Sequence, residues 1–300
     1  VANELQIQKK DTSKEIEFFS CKIAKDLIFL KLKKEDLRSE KTAQLASLIA
    51  TLSLSLIIGC SYKIPFYDDN TIKSKRSITL NIVSRLHIPS DDGQQGIATD
   101  GKFIFVQNSQ QLFKYNRDGE LLISGPKLKL HHGGITYYKD KIYVAVSGCE
   151  AGGSNEHFVH VYDAQSLKFI KKYDISAHFA VCAGGITYHR DRFYVAESFF
   201  DNNHKDRIIE FDRSFRHIKD HEIDFKSPFG IQGLEYIPKK RSFQVHSHAE
   251  IFYYINDRFE NESLISGKAS FELQDLALLN NQTIIINNRD AQTIEFVKIK

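Results

Sequence analysis

GGITYYKDKIYVAVS (133–147) and GGITYHRDRFYVAES (184–198) are nearly the same words written twice. The frame recurs, more loosely, in QGIATDGKFIFVQN (95–108), QGLEYIPKKRSFQVHS (232–247) and QDLALLNNQTIIINN (274–288). Five copies about 40 to 50 residues apart are the mark of stacked supersecondary units. Within each copy a short strand (ITYY) meets a polar turn (KDK) and a second strand rich in β-branched and aromatic residues (IYVAV). A loop of variable length follows. A third strand then ends on an aromatic residue with an Asp or Asn turn, as in FKYNRDG (113–119), HVYDAQS (160–166) and IEFDRSF (209–215), and a fourth strand such as KFIKKYDI (168–175) closes the unit. Four antiparallel strands per repeat make a propeller blade.

The ends of the repeat region fit a closed ring. The fifth copy stops after its third strand, TIEFVKIK (293–300), while an orphan strand, RSITLNIVSRLHIP (76–89), precedes the first copy. The expected fold is therefore all-β: a propeller of five blades closed by its N-terminal strand, which also hides a sheet edge. A six-bladed ring would require one more, divergent, repeat.

Upstream lies a different kind of sequence. Residues 1–36 form a charged, helix-leaning segment. LIATLSLSLIIGCSYK (48–63) then turns from apolar to small to a lone cysteine. The apolar run, 43–59, is short for a bilayer crossing, which takes about 20 residues, and suits the core of a secretory signal. Ile57-Ile58-Gly59-Cys60 resembles a bacterial lipobox, which implies cleavage before Cys60 and lipid on its thiol. A buried helix with a free cysteine and a signal-anchor with a short cytoplasmic tail are the alternatives. Translation starting near Leu37 would give the signal a normal length, so the expected organisation is 1–36 not translated natively, 37–60 signal peptide, 61–75 linker and 76–300 propeller. The expected location is the cell envelope, with lipid as the membrane contact. No Asp follows Cys60, which favours the outer membrane.

Composition agrees with a globular protein: 42% hydrophobic and 26% charged residues, 41 Lys and Arg against 38 Asp and Glu, and no Met or Trp. The charges are dispersed, so no nucleic-acid partner is expected. Cys21 precedes the proposed cleavage and Cys60 is reserved for lipid, leaving Cys149 and Cys182 as an even pair for an oxidising compartment. Both fall in loops that open on one propeller face, which predicts a disulfide.

That same face should carry any ligand. Alignment of the copies puts Gln107, Val146, Glu197, His246 and Asn287 in one row at the end of the second strand. Gln95, Gly133, Gly184, Gln232 and Gln274 form another at the start of the first strand, just after His132 in its own copy. Glu197, His132, His246 and His248 bring carboxylate and imidazole groups suited to a divalent cation, Ca or Zn, or to a general base. Gln107, Asn287, Gln95 and Gln232 are the polar contacts of the same candidate site. The plainer reading is that such side chains satisfy loop backbone groups at the blade edge. Phe199 and Phe200, in a long loop, are candidate contacts for a sugar, lipid or protein. No catalytic motif with a fixed spacing is present.

The repeats YYKDKIYVAVS…HVYDAQSLKFI and YHRDRFYVAES…IEFDRSFRHI resemble blades of bacterial YVTN and NHL propellers and, remotely, of the gluconolactonase group. The resemblance implies a propeller from about Arg76 onward. The gluconolactonase likeness implies a channel-mouth cation; Glu197 and Asn287 or Asn288 stand in comparable places, and no rim Asp is matched. QGI at Gln95 and QGL at Gln232 are similar to strand starts of the five-bladed plant-type glutaminyl cyclases, whose other motifs are absent. Two functions follow as expectations: a lipid-anchored binding or scaffold module for a protein or small molecule, or a metal-dependent, lactonase-like hydrolase at the same face.

Overall fold

The computed structural model describes residues 79–300, apart from Ser90, Asp91, Gln94, 150–154, 200–202 and Lys300. The expected N-terminal helix, signal peptide and Cys60 lie outside the described residues. A first strand, β1 (Ile82–His87), precedes four complete hairpin pairs. Blade 1 is β2 (Gly96–Thr99), β3 (Ile104–Gln107), β4 (Leu112–Tyr115) and β5 (Leu121–Ser124). Blade 2 is β6 (His131–Tyr138), β7 (Lys141–Ser147), β8 (His157–Asp163) and β9 (Phe169–Asp174). Blade 3 is β10 (Cys182–His189), β11 (Arg192–Ser198), β12 (Asp206–Phe211) and β13 (His217–Ile223). Blade 4 is β14 (Ile231–Ile237), β15 (Ser242–Ser247), β16 (Ile251–Asn256) and β17 (Ile265–Lys268).

Blade 5 is the joint of the ring. It contains β18 (Leu273–Asn280), β19 (Thr283–Asn288) and β20 (Thr293–Lys298), and its outermost strand is β1. Arg85 faces Glu295 across that last antiparallel pair, with its Nε donating to Oε2 at 2.7 Å. Glu295 is buried, and its other oxygen accepts from Asn288 and Thr293 at 2.9 Å each. The chain's first described strand is thereby locked to its last, as the repeat pattern requires, and the described strands form five sheets with none left over for a sixth.

The two matched repeats explain their turns. In β6–β7, Lys139 and Asp140 both take positive φ (47° and 57°), and in β10–β11 Arg190 and Asp191 do the same (46° and 62°). Two left-handed residues give the turn whose twist matches the flanking strands. Neither is glycine, and each turn carries the same clamp: the Tyr137 hydroxyl donates to Asp140 at 3.0 Å, and the Tyr188 hydroxyl to Asp191 at 2.8 Å.

Alternate residues of each strand face the neighbouring blades, so the core is divided among the junctions. Five apolar clusters fill the five junctions. Phe105 with Ile142 and Val144 represents blades 1 and 2, while Leu279 with Ile104 and Ile97 joins blade 5 back to blade 1. Burial of such side chains is worth about 1.5–3 kcal/mol each, so each junction is a substantial interface and the ring closes by packing as well as by pairing. Among the described residues no helix is long and apolar enough to cross a membrane.

Candidate functional site: a stitched rim and an acid-lined axis

The rim at the second-to-third-strand loops is built from the polar row singled out in the sequence, and most of that row is occupied by neighbouring backbone. Gln107, fully buried, donates its side-chain N–H to the Gly133 carbonyl of the next blade. Ser147 accepts from the Ala183 N–H at 2.8 Å, again one blade on. Asn287 donates to the Gly93 carbonyl at 3.1 Å and accepts the Asp275 N–H at 2.8 Å, joining blade 5 to blade 1. Gln95 is half-buried and its N–H donates to Gln107 O at 2.9 Å, while the Gln232 side chain donates to Phe229 O at 3.1 Å. These groups stitch blades and loops together, as the plainer reading of the row anticipates.

The ionisable members are not gathered into one site. Glu197 is 2% exposed, and its Oε1 accepts from Ala180 N at 2.6 Å and Val181 N at 3.1 Å. Its Oε2 meets Arg207 Nε at 2.8 Å, so the carboxylate is saturated by a loop and a guanidinium. His132 packs inside blade 2, its ring edge-on to His160 at 6.3 Å, and burial pushes its pKa down to about 3. His246 is fully buried beside Phe252 and Gln244, also pushed down to about 3 by burial. His248 pairs with Glu272 at 3.0 Å and accepts from Arg289 at 2.8 Å. Among the described residues no three His, Cys, Asp or Glu groups are placed to hold a metal ion. The two buried histidines lie among side chains of their own blades, His132 beside His160 and His246 beside Gln244 and Phe252. Phe199 differs from expectation too, being buried and stacked on His204 at 4.6 Å; Phe200 lies outside the described residues.

Cys149 and Cys182 form a disulfide, with Cα atoms 5.6 Å apart and a sequence separation of 33. It ties the loop after β7 to the start of β10 and so fixes this face across the junction of blades 2 and 3.

The axis holds groups that the sequence reading passed over. The inner strands β2, β6, β10, β14 and β18 carry, within their first four residues, the aligned Gly96, Gly134, Gly185, Gly233 and Asp275. The glycines are required by proximity: a Cβ on Gly134 would lie 2.8 Å from Gly185 Cα, and one on Gly233 would lie 2.6 Å from Asp275 Cα. Blade 5 alone carries a side chain here. The buried Asp275 carboxylate accepts from Ile97 N at 3.2 Å, Ile135 N at 3.0 Å and Leu276 N at 2.9 Å. The Leu234 N–H also donates to it. One carboxylate thus links blades 1, 2, 4 and 5 across the axis.

Beyond that row, toward the first-to-second-strand turns, lies a cavity of about 140 Å³. Thr99, Thr136, Tyr137 and Glu235 line it together with apolar residues such as Ala98 and Leu278. Glu235 occupies the position where other blades have Ala98, Thr136, Thr187 and Ala277. The Thr187 hydroxyl donates to it at 3.1 Å. Burial, aided by the nearby Asp275 charge, pushes Glu235 up to about 8. Burial also pushes Asp275 up to about 8, with its N–H donors acting against that shift. Misfit signals were available in the sequence: an Asp in QDL and a Glu in QGLEY, each where its aligned partners are small or hydroxylic.

No family model matches the chain, and no curated protein is similar to it in sequence. Solved structures are similar in shape. The glutaminyl cyclase of Myxococcus xanthus superposes with a TM-score of 0.59 at 10% identity, covering 74% of this chain and 98% of that one. A chain of a mitotic checkpoint complex gives 0.45 at 8% identity, over 80% of this chain and 98% of that one. The WD40 domain of Neurospora crassa Pan2 gives 0.39 at 9% identity, over 68% and 63%. At such identities the likeness to the cyclase speaks for the fold alone: the described chain is a five-bladed β-propeller.

Proposed function

We propose that the protein is a lipid-anchored propeller of the cell envelope that works as a binding or scaffold module through the face carrying the second-to-third-strand loops. The observation that supports it best is the state of that rim. Its candidate carboxylate is engaged by the protein itself, with Glu197 held by Ala180, Val181 and Arg207. The described part of this rim is stitched to neighbouring backbone and tied by a disulfide, and such preorganisation suits recognition because it reduces the ordering needed on binding. The anchor rests on Ile57-Ile58-Gly59-Cys60; two acyl chains would make it stable.

Membrane fractionation tests the anchor: Cys60→Ala should lose lipid labelling and detergent-phase partitioning, and unchanged partitioning refutes it. Titration with Ca²⁺ or Zn²⁺ tests the module against the hydrolase. A ligand of the native state raises the melting temperature by mass action. The module reading expects no such rise; a saturable rise abolished by Glu197→Gln would favour the hydrolase.

A further inference from the structure

The axial cavity offers a site of a different kind, independent of the rim. Glu235 is the acid that lines it, and the buried Asp275 lies near enough to act on Glu235, so the two cannot both ionise cheaply. Their surroundings divide the roles. Asp275 receives N–H groups from Ile97, Ile135, Leu234 and Leu276, all of which stabilise a carboxylate. Glu235 has the Thr187 hydroxyl, a group that can equally accept a proton. The other groups facing the cavity from β2, β6 and β18 are Thr99, Thr136, Tyr137 and apolar side chains, and no Lys, Arg or His lines it. Tyr137 is held by Asp140. Both acids are raised by burial, and Glu235 is the one without N–H donors to favour its anion, so it keeps its proton at neutral pH.

We propose that this cavity binds a small uncharged hydrogen-bond acceptor, an amide or carbonyl group, which the protonated carboxyl of Glu235 receives. The hydroxyls of Thr99 and Thr136 supply further polar contacts, and the apolar wall takes the remainder of the ligand. A single water needs about 10–15 Å³ on this measure, so a volume of about 140 Å³ admits a small organic group.

The test is carboxyl-carbon NMR, with the Glu235 signal assigned by its loss in Glu235→Gln. In the wild type that signal should titrate well above the usual range near 4.3, and Asp275→Asn should bring it down. Acetamide should shift the signal saturably at pH 6.5 and lose its effect above pH 9.5, where Glu235 has ionised. Methylammonium should do nothing at pH 6.5. A Glu235 that titrates near 4.3 overturns the proposal, and so does a response to methylammonium in place of acetamide. If Asp275→Asn does not fold, the wild-type titration and the two probes decide alone.

Discussion

Glu197 and Glu235 belong to adjacent blades and meet opposite environments. Glu197, at the rim, is bound by two backbone N–H groups and the Arg207 guanidinium. Glu235, near the axis, has a hydroxyl partner and another acid nearby. Glu197 is fully withdrawn from water and Glu235 partly so. What separates them is whether the fold supplies donors and a cation along with the burial. At the rim it does, and the acid becomes a fastener. At the axis the donors converge on Asp275 instead, and Glu235 is left as an acid that holds its proton.

Several substitutions would break or sharpen this contrast. The largest effect is expected for Asp275→Ala, which leaves N–H groups of several blades unpaired at once. Each unsatisfied buried group costs about 1–3 kcal/mol, so a loss on the order of 4 kcal/mol is expected in urea unfolding. A loss under about 1 kcal/mol would mean that the axis is not a fastening point.

Next is the disulfide. With its cysteines at a sequence separation of 33, Cys149→Ser should cost about 3 kcal/mol of stability, read in the same unfolding assay. Reducing agent should lower the wild-type midpoint and leave the variant unchanged.

At the rim, Glu197→Gln removes the ion pair and weakens two N–H contacts. A loss of about 2 kcal/mol is expected, with Arg207→Ala close behind and the double variant less than additive. Full additivity would show that the two side chains do not act as a pair.

The smallest effect is pH-dependent. Glu235 has a folded pKa raised to about 8. Its contribution to stability is therefore complete below the unfolded value near 4.3 and is lost as pH rises through about 8. Thermal scans should show wild-type stability falling over that window, and a shallower fall in Glu235→Gln. Part of the slope will remain in the variant, because Asp275 is raised in the same direction. Identical slopes would place Glu235 outside the low-dielectric region.

The repeat carried most of the fold. Its period, the truncated fifth copy and the orphan strand were enough to expect five blades and a β1–β20 closure. The heights of Gln107, Ser147 and Asn287 on their strands were legible as well, together with the plain role that they fill. Direction was not. His132 reads as a rim residue in the alignment and is fully buried in blade 2, because a pleat sends neighbouring residues to opposite faces. The axis was hidden for another reason. An alignment draws attention to what the copies share, and the axis depends on the places where one copy departs, Asp275 among four glycines and Glu235 among Ala and Thr. Only with the ring closed do those departures face one another.

Native-state hydrogen exchange measures the central claim most directly, that one carboxylate fastens the blades at the axis. The amides of Ile97, Ile135, Leu234 and Leu276 should exchange at a common slow rate, close to that of global unfolding, although they lie in four different blades. Exchange at four unrelated rates, or as fast as amides of the outer strand β5, would contradict it.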